Sequence, residues 1–393
     1  MKNEHEQPVR QSTAPEYFPS ALLTQPHGAR QEYFEQQCLI EHPRILETLD
    51  ATIQAICPPG EGASVRRPGT MVLVIGPARV GKTTFIRLLE ERLLSKASTL
   101  MERDPGFMPF SSVTTAGEDT SRFDWPTYYT AVLRGLQDPF VDGKTARIPS
   151  RELREAMEAA LLHRKPVAII VDEAHHLAKA ASGRRLQDQL DHLKYFENLT
   201  GVSHILVGTY ELRPFRKVNA QLACRSVDVH FARYDATKEE EAQVFRSVLW
   251  ALQRQLPVLE EPRLVDHWEL LYARSIGCVG LLKMHLNRAL NAALAEDAKT
   301  VTLTHVRKTA LESARVELAL RNALESEAEL TEPADVDERL LTLLGLRGPA
   351  IGLKAQKMPQ PRRPGKREPG RDLTGEDGRE KAATPPHEEQ AAG

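Results

Sequence analysis

Cysteine is sparse. The chain of 393 residues has four, Cys38, Cys57, Cys224 and Cys278, and no two share metal-ligand spacing. That pattern excludes a disulfide framework and a zinc knuckle, and it suits buried thiols in a reducing compartment. Aromatic residues are few as well, 6% of the chain, which suits a helix-rich protein. An excess of either charge is also missing, since 52 lysines and arginines face 54 acids for a formal charge of −2. Whole-chain charge therefore argues neither for nor against a polyanionic partner, and any such contact must come from local patches. No apolar run is long enough to span a membrane, and the opening MKNEHEQPVR has no apolar signal core. The expectation is a soluble, intracellular protein without a membrane partner. What is present is 41% hydrophobic residues, adequate for a sizeable core in two or three domains.

The most informative stretch begins with the apolar run Met71–Ile75. Gly76, Pro77, Ala78, Arg79, Val80, Gly81, Lys82, Thr83 and Thr84 follow it, and then the amphipathic Phe85, Leu88 and Leu89. This is G-x-x-x-x-G-K-[ST] between a strand and a helix. Glycines let the backbone curl until its N–H groups converge on one concavity, completed by the helix N-terminus. The pattern predicts an ATP-binding loop in which Lys82 reaches the β- and γ-phosphates and the Thr83 hydroxyl ligates Mg²⁺.

Val167–Val171 is a second aliphatic run, as expected of a buried parallel strand, and it ends in Asp172-Glu173. Carboxylates at that point supply the other half of an ATPase site. Asp172 is expected to hold the Mg²⁺ hydration shell and Glu173 to polarise the attacking water. The next letters complete Asp-Glu-Ala-His, but later helicase motifs have no room in the remaining chain, and His175 and His176 read as the first turn of a helix. Ile205–Thr209 is another buried strand, and its terminal hydroxyl is placed to meet the γ-phosphate or the lytic water. Gly106–Thr114 and Val227–Phe231 complete five strands alternating with helices, an α/β parallel sheet with right-handed crossovers.

The surrounding segments divide as follows. Residues 1–30, dotted with Pro8, Pro15, Pro19 and Pro26, read as a flexible arm, although Tyr17, Phe18, Leu22 and Leu23 are suited to docking on a partner or on the chain's own domain. Residues 31–233 form the ATPase domain, with a helical lead-in over Gln31–Ile56 beside the nucleotide. Asp124 and Ser150 are placed as helix caps. Residues 234–330 read as an all-helical lid, with a capping box at Thr237–Glu240, a second helix over Pro262–Ser275, a third from Gly280 and a fourth capped by Thr304 and running to Leu324. Residues 331–393 are rich in Pro, Gly and charge and read as a mostly disordered tail, with an acid-free basic stretch over Lys354–Arg367.

The order of these features, with Arg122-Phe-Asp-Trp-Pro-Thr-Tyr128, Leu206-Val-Gly-Thr-Tyr-Glu-Leu212, Gln221-Leu-Ala-Cys-Arg225 and Ser275-Ile-Gly-Cys-Val-Gly-Leu-Leu282, resembles the TnsC/TniB family of AAA+ transposition regulators over about residues 30–325. The resemblance implies a bacterial ATPase that assembles as a ring or helical filament on double-stranded DNA. It also implies that the protein links a TniQ/TnsD-type targeting protein to a transposase subunit. Residue by residue, it makes Thr209 the sensor and Arg225 the arginine that reaches the neighbouring subunit's γ-phosphate, with Arg213 and Arg216 as alternatives. At the lid sensor position, where the family commonly has arginine, stands Lys283, a point charge without the bidentate fork. Loops lining the pore of such a ring would carry Lys144, Arg147, Arg151, Lys179, Arg184 and Arg185, which are expected to touch DNA phosphates without reading sequence. Two rival readings are a STAND-like signalling or defence NTPase and a helicase-loader or origin-binding ATPase.

Overall fold

The computed structural model describes residues 17–57, 69–115, 123–141, 148–179, 184–217, 226–331 and 335–346, without the side chains of residues 178–179, 184–185 and 217. Five strands, β1 (Met71–Ile75), β2 (Phe110–Thr114), β3 (Ala168–Asp172), β4 (Ser203–Gly208) and β5 (Ser226–His230), form one sheet in the order β2-β3-β4-β1-β5. Every neighbouring pair is parallel. β1 and β4 are buried at every position and β3 at all but its last residue, which is why they read as unbroken aliphatic runs. The edge strand β2 alternates, with Ser111 and Val113 inward.

Helices fill the crossovers. α3 (Lys82–Arg103) links β1 to β2; α4 (Trp125–Gly135) and α5 (Ser150–Arg164) link β2 to β3; α6 (His175–Lys179) and α7 (Arg184–Thr200) link β3 to β4. The Asp124 cap is present, its carboxylate accepting the Thr127 N–H at 3.0 Å. Ser150 does not cap α5: it is the first helical residue, and Pro149 precedes it with no side-chain bond.

The lead-in is not one helix. It comprises α1 (His27–Glu32), a π turn (Tyr33–Gln37), an extended stretch over 38–42, and α2 (Pro43–Ile56). Pro43 disfavours helical backbone at the residue before it, and His42 is accordingly extended at φ −125° and ψ 156°. Ile45, Leu49 and Ile53 of α2 join the core between α3 and the sheet.

The lid comprises α8 (Glu239–Arg254), a 3₁₀ turn (Val265–His267), α9 (Trp268–Ser275), α10 (Val279–Ala295), α11 (Leu303–Thr309) and α12 (Ser313–Leu330). Two expected caps are displaced. Asp235, not Thr237, organises the start of α8, accepting the Thr237 N–H at 3.0 Å and its hydroxyl at 2.9 Å. The fourth expected helix is two, α11 and α12, and α11 is capped by Thr302 in a box with His305.

For residues 17–30 of the expected arm, the alternative of docking on the chain's own domain is the one observed. Leu22, Tyr33, Phe34 and Cys38 pack with Phe245, Leu249, Leu282, Leu286 and Leu290. Arg30 donates to the Pro257 carbonyl at 2.8 Å, and the Arg254 guanidinium lies between the Tyr17 and Trp250 rings. Burying one leucine contributes roughly 1.5–3 kcal/mol, and here that holds residues 17–30 against the lid. Residues 1–16 lie outside the described set. Sheet and lid belong to one compact unit ending at Ala328, and a second unit begins at Glu329. Its described part includes α13 (Val336–Leu343), with Leu340 and Leu343 exposed. The expected basic stretch over 354–367 lies outside the described residues.

Candidate nucleotide-binding site

The chain leaves β1 at Gly76 against the exit of β5. A Cβ there would stand 2.3 Å from the Phe231 carbonyl, so only glycine fits. The loop then turns through Arg79 at φ 63° and Gly81 at φ 124°, left-handed backbone that glycine adopts freely and arginine at a cost. Phe85 N–H makes the first helical bond of α3, to Gly81, which leaves the N–H groups of Lys82, Thr83 and Thr84 without an intrahelical acceptor at the loop mouth. Lys82 is only 8% exposed, and its ammonium donates to the Pro77 carbonyl at 2.9 Å and that of Gly76 at 3.4 Å. Burial lowers its pKa, while Glu173 and Asp172 pull the other way. A buried cation served by carbonyls is set to exchange them for phosphate oxygens.

Asp172 ends β3, two strands from β1 in the sheet order, and its Oδ1 accepts the Glu173 N–H at 2.7 Å. Burial raises the Asp172 pKa, opposed by that N–H and by Lys82. Glu173 has left-handed backbone at φ 51°, and Thr115 fixes this corner by donating its hydroxyl to the Glu173 carbonyl at 2.8 Å. Thr209 follows β4, beside the Gly76 corner, where Gly76 N–H donates to the Gly208 carbonyl at 3.3 Å. Two residues missed at the sequence level stand between Glu173 and Thr209. His175 Nδ1 is 3.0 Å from Glu173 Oε2, and its Nε2 is 3.6 Å from Glu211 Oε2. The Thr209 hydroxyl lies 3.5 Å from the same Glu211 oxygen. His175 does open α6, as its position after the strand suggested.

The lid closes on the loop from the other side. Gly280, in the first turn of α10, sits so near that a Cβ would lie 2.6 Å from the Arg79 carbonyl. Behind it is a small cavity of ≈ 30 Å³, lined chiefly by Ile40, His42, Ile45, Val80, Val279 and Lys283. The slot lies between lead-in, phosphate loop and lid, and at this volume it has room for a water or two and must widen to admit a heterocycle. Burial pushes the His42 pKa down to about 3, so the ring is neutral, and its Nδ1 is 2.9 Å from the Tyr234 hydroxyl. Lys283 closes this slot. Its ammonium donates to the carbonyls of Glu35 at 2.9 Å and Cys38 at 2.7 Å, tying lid to lead-in. A wider cleft of ≈ 680 Å³ lies between α4 and α5, lined by residues such as Thr130, Arg134 and Leu153, and no phosphate-loop residue borders it.

Of the candidate trans-acting arginines, Arg216 pairs with Asp228, Arg213 Nε donates to the Tyr210 carbonyl at 3.0 Å, and Arg225 lies outside the described residues. Of the candidate DNA contacts, Lys144 and Arg147 also lie outside. Arg151 is exposed on the first turn of α5 and bonds Glu155 at 2.8 Å, and Lys179, Arg184 and Arg185 fall at the end of α6 and the start of α7. Among the described residues no cluster of three or more His, Cys, Asp or Glu side chains is arranged to hold a metal ion, and no helix is long and apolar enough to cross a membrane.

Phosphate loop, acidic strand end and helical lid on a five-stranded parallel sheet define an AAA+ P-loop fold. Residues 65–215 match the family described as AAA domain (AAA_22). Among curated proteins none matches the sequence. Solved structures that share the fold include the following two. The ORC2 protein of Aeropyrum pernix, in ADPNP–ADP complexes, has a TM-score of 0.51 at 15% identity, covering 73% of this chain and 71% of that one. Cdc6p from Pyrobaculum aerophilum has a TM-score of 0.50 at 15% identity, covering 71% and 70%.

Proposed function

We propose that this chain is an ATP-driven assembly switch: a AAA+ regulator of DNA transposition that oligomerises on double-stranded DNA and links a TniQ/TnsD-type targeting protein to the transposase. The observation that carries the nucleotide half is the buried Lys82 ammonium, held by two carbonyls of its own loop and flanked by Asp172 and Glu173. Four quoted sequence signatures carry the transposition half.

In this reading Lys82 and the first-turn N–H groups of α3 hold the β- and γ-phosphates, and the slot around His42 takes the base. Thr83 and Asp172 would hold Mg²⁺, which supplies charge neutralisation between the phosphates. Glu173 polarises a water whose oxygen bonds to the γ-phosphorus as the bond to the β-bridging oxygen breaks, and the water's proton leaves through the carboxylate to solvent. Thr209 senses the γ-phosphate. Arg225, with Arg213 and Arg216 as alternatives, reaches the neighbouring copy's nucleotide. Lys283 acts through the lead-in, holding the wall of the base slot, and contacts phosphate only if it releases Glu35 and Cys38. Lys144, Arg147, Arg151, Lys179, Arg184 and Arg185 contact the duplex backbone. If they neutralise six phosphates per copy, affinity falls with a log–log salt slope of roughly −5.

The test is ATP-dependent duplex binding by the wild type beside Lys82→Ala and Glu173→Gln. Lys82→Ala is expected not to bind. Glu173→Gln is expected to bind nucleotide and stay on DNA. A salt-insensitive or strongly sequence-selective affinity contradicts the reading. The fold shared with ORC2 and Cdc6p favours one alternative, an origin-binding ATPase, and preference for one defined duplex sequence would support it.

A further inference from the structure

His175 and Glu211 belong to neither phosphate binding nor the expected sensor set, yet they bridge the two residues that the proposed hydrolysis depends on most. The Glu173 backbone is fixed on both sides, by its N–H on Asp172 and its carbonyl on Thr115. Its carboxylate is not fixed by those bonds, and a displacement of about 1 Å at a reacting group costs on the order of a hundredfold in rate. The element placed to orient it is His175. That side chain is 9% exposed, its ring stacks on His176 at 4.5 Å between centroids, and it starts α6 directly after the turn. The two ring nitrogens lie at ion-pair distance from different carboxylates, Nδ1 3.0 Å from Glu173 and Nε2 3.6 Å from Glu211, and neither of these two contacts has hydrogen-bond geometry. Glu211 presents one oxygen, Oε2, to both His175 and the Thr209 hydroxyl.

We infer that His175 and Glu211 are positioning residues that couple the water-polarising carboxylate of Glu173 to the phosphate sensor Thr209. The chain of contacts runs Glu173, His175, Glu211, Thr209, and it joins the corner after β3 to the corner after β4. When the Thr209 hydroxyl turns to a γ-phosphate it leaves Glu211, and the load on His175, and through it on Glu173, changes in the same event. Water activation is thereby tied to the presence of the third phosphate. Neither residue touches the reacting atoms. The inference rests on the proposed ATPase reading.

The experiment is steady-state ATP hydrolysis by the full chain with Mg²⁺ and duplex DNA, together with binding of a fluorescent ATP analogue, for His175→Ala, His175→Gln, Glu211→Gln and the double variant His175→Ala/Glu211→Gln. His175→Ala is expected to lower kcat by on the order of tenfold to a hundredfold, with KM and analogue affinity within about twofold of wild type. His175→Gln, whose amide also bridges two acceptors, restores most of the rate. Glu211→Gln lowers kcat severalfold, and the double variant falls no further than His175→Ala, because one broken chain cannot be broken twice. A His175→Ala rate within twofold of wild type overturns the inference. So does a joint fall of kcat, affinity and unfolding temperature without rescue by His175→Gln, and so does an additive double variant. Glu211, half exposed, gives a variant that keeps the test open should His175→Ala fold poorly. A wild type that hydrolyses no ATP with or without DNA sinks the ATPase reading itself, an outcome distinct from those three.

Discussion

Gly280 of the lid faces the Arg79 carbonyl of the phosphate loop with no room for a methyl group: a Cβ would stand 2.6 Å from that oxygen and 3.2 Å from the Gly81 nitrogen. The lid therefore touches the nucleotide loop through bare backbone. Gly280→Ala must push α10 away or distort the loop, at a cost of about 1–3 kcal/mol. The expected outcome is roughly a tenfold or greater loss of ATP affinity by titration calorimetry, with only a small shift in the unfolding temperature of the nucleotide-free protein.

Lys82 trades stability for ligand. Burial lowers its pKa, so the folded state holds the charge less readily than the unfolded chain does. Lys82→Met removes that penalty and is expected to raise nucleotide-free stability by on the order of 1 kcal/mol while abolishing ATP binding. Chemical denaturation with and without ATP checks both halves. The wild type gains stability from ATP and the variant gains none.

His285 sits in the lid at 1% exposure, and among the described residues neither ring nitrogen has a hydrogen-bond partner. Burial, reinforced by Arg288 and Arg274, pushes its pKa down to about 4. The unfolded chain therefore takes up this proton first as pH falls. The stability contributed by the neutral ring is complete above the ordinary histidine pKa, about 6.5, and drains away toward pH 4. His285→Leu is expected to be stabilising at pH 5 relative to pH 7.5 by about 1–2 kcal/mol, allowing for partial solvent screening. Denaturation midpoints at the two pH values decide it.

Glu327 anchors α12 to the sheet side. Its carboxylate accepts two bonds from Arg233, at 3.0 and 3.1 Å, and lies 3.4 Å from the hydroxyl of Tyr210, the residue after Thr209. Removing one member of such a pair strands the other charge, so Glu327→Ala is expected to cost about 2–4 kcal/mol. The double variant Arg233→Met/Glu327→Leu should recover most of that, and a double-mutant cycle by urea denaturation measures it.

The phosphate loop and the Asp172-Glu173 strand end were legible because each is local: glycines at fixed spacing, and a strand with a carboxylate at its end. β1, β3 and β4 were legible for the same reason, since burial on both faces leaves unbroken aliphatic runs, whereas the edge strands β2 and β5 are buried at only two and one of their five positions. Contacts made across the chain were not. The sequence marks Leu22 as suited to docking but gives neither it nor Phe34 a lid partner, because Leu249 and Leu286 lie over two hundred residues away. Pro43 marks the break before α2, but the helical spacing on either side masked it. The Thr237 box failed because Asp235, two residues earlier, offers a better acceptor. His175 and Glu211 lie 36 positions apart, and only the juxtaposition of β3 and β4 brings their side chains together.

The central claim is that nucleotide decides whether copies of this chain assemble along a duplex, and sedimentation of the purified protein with duplex DNA tests it most directly. With a non-hydrolysable ATP analogue the account predicts large DNA-bound oligomers, visible as rings or filaments by electron microscopy and absent with ADP or with Lys82→Ala. A protein that stays monomeric with ATP analogue and duplex both present would contradict it.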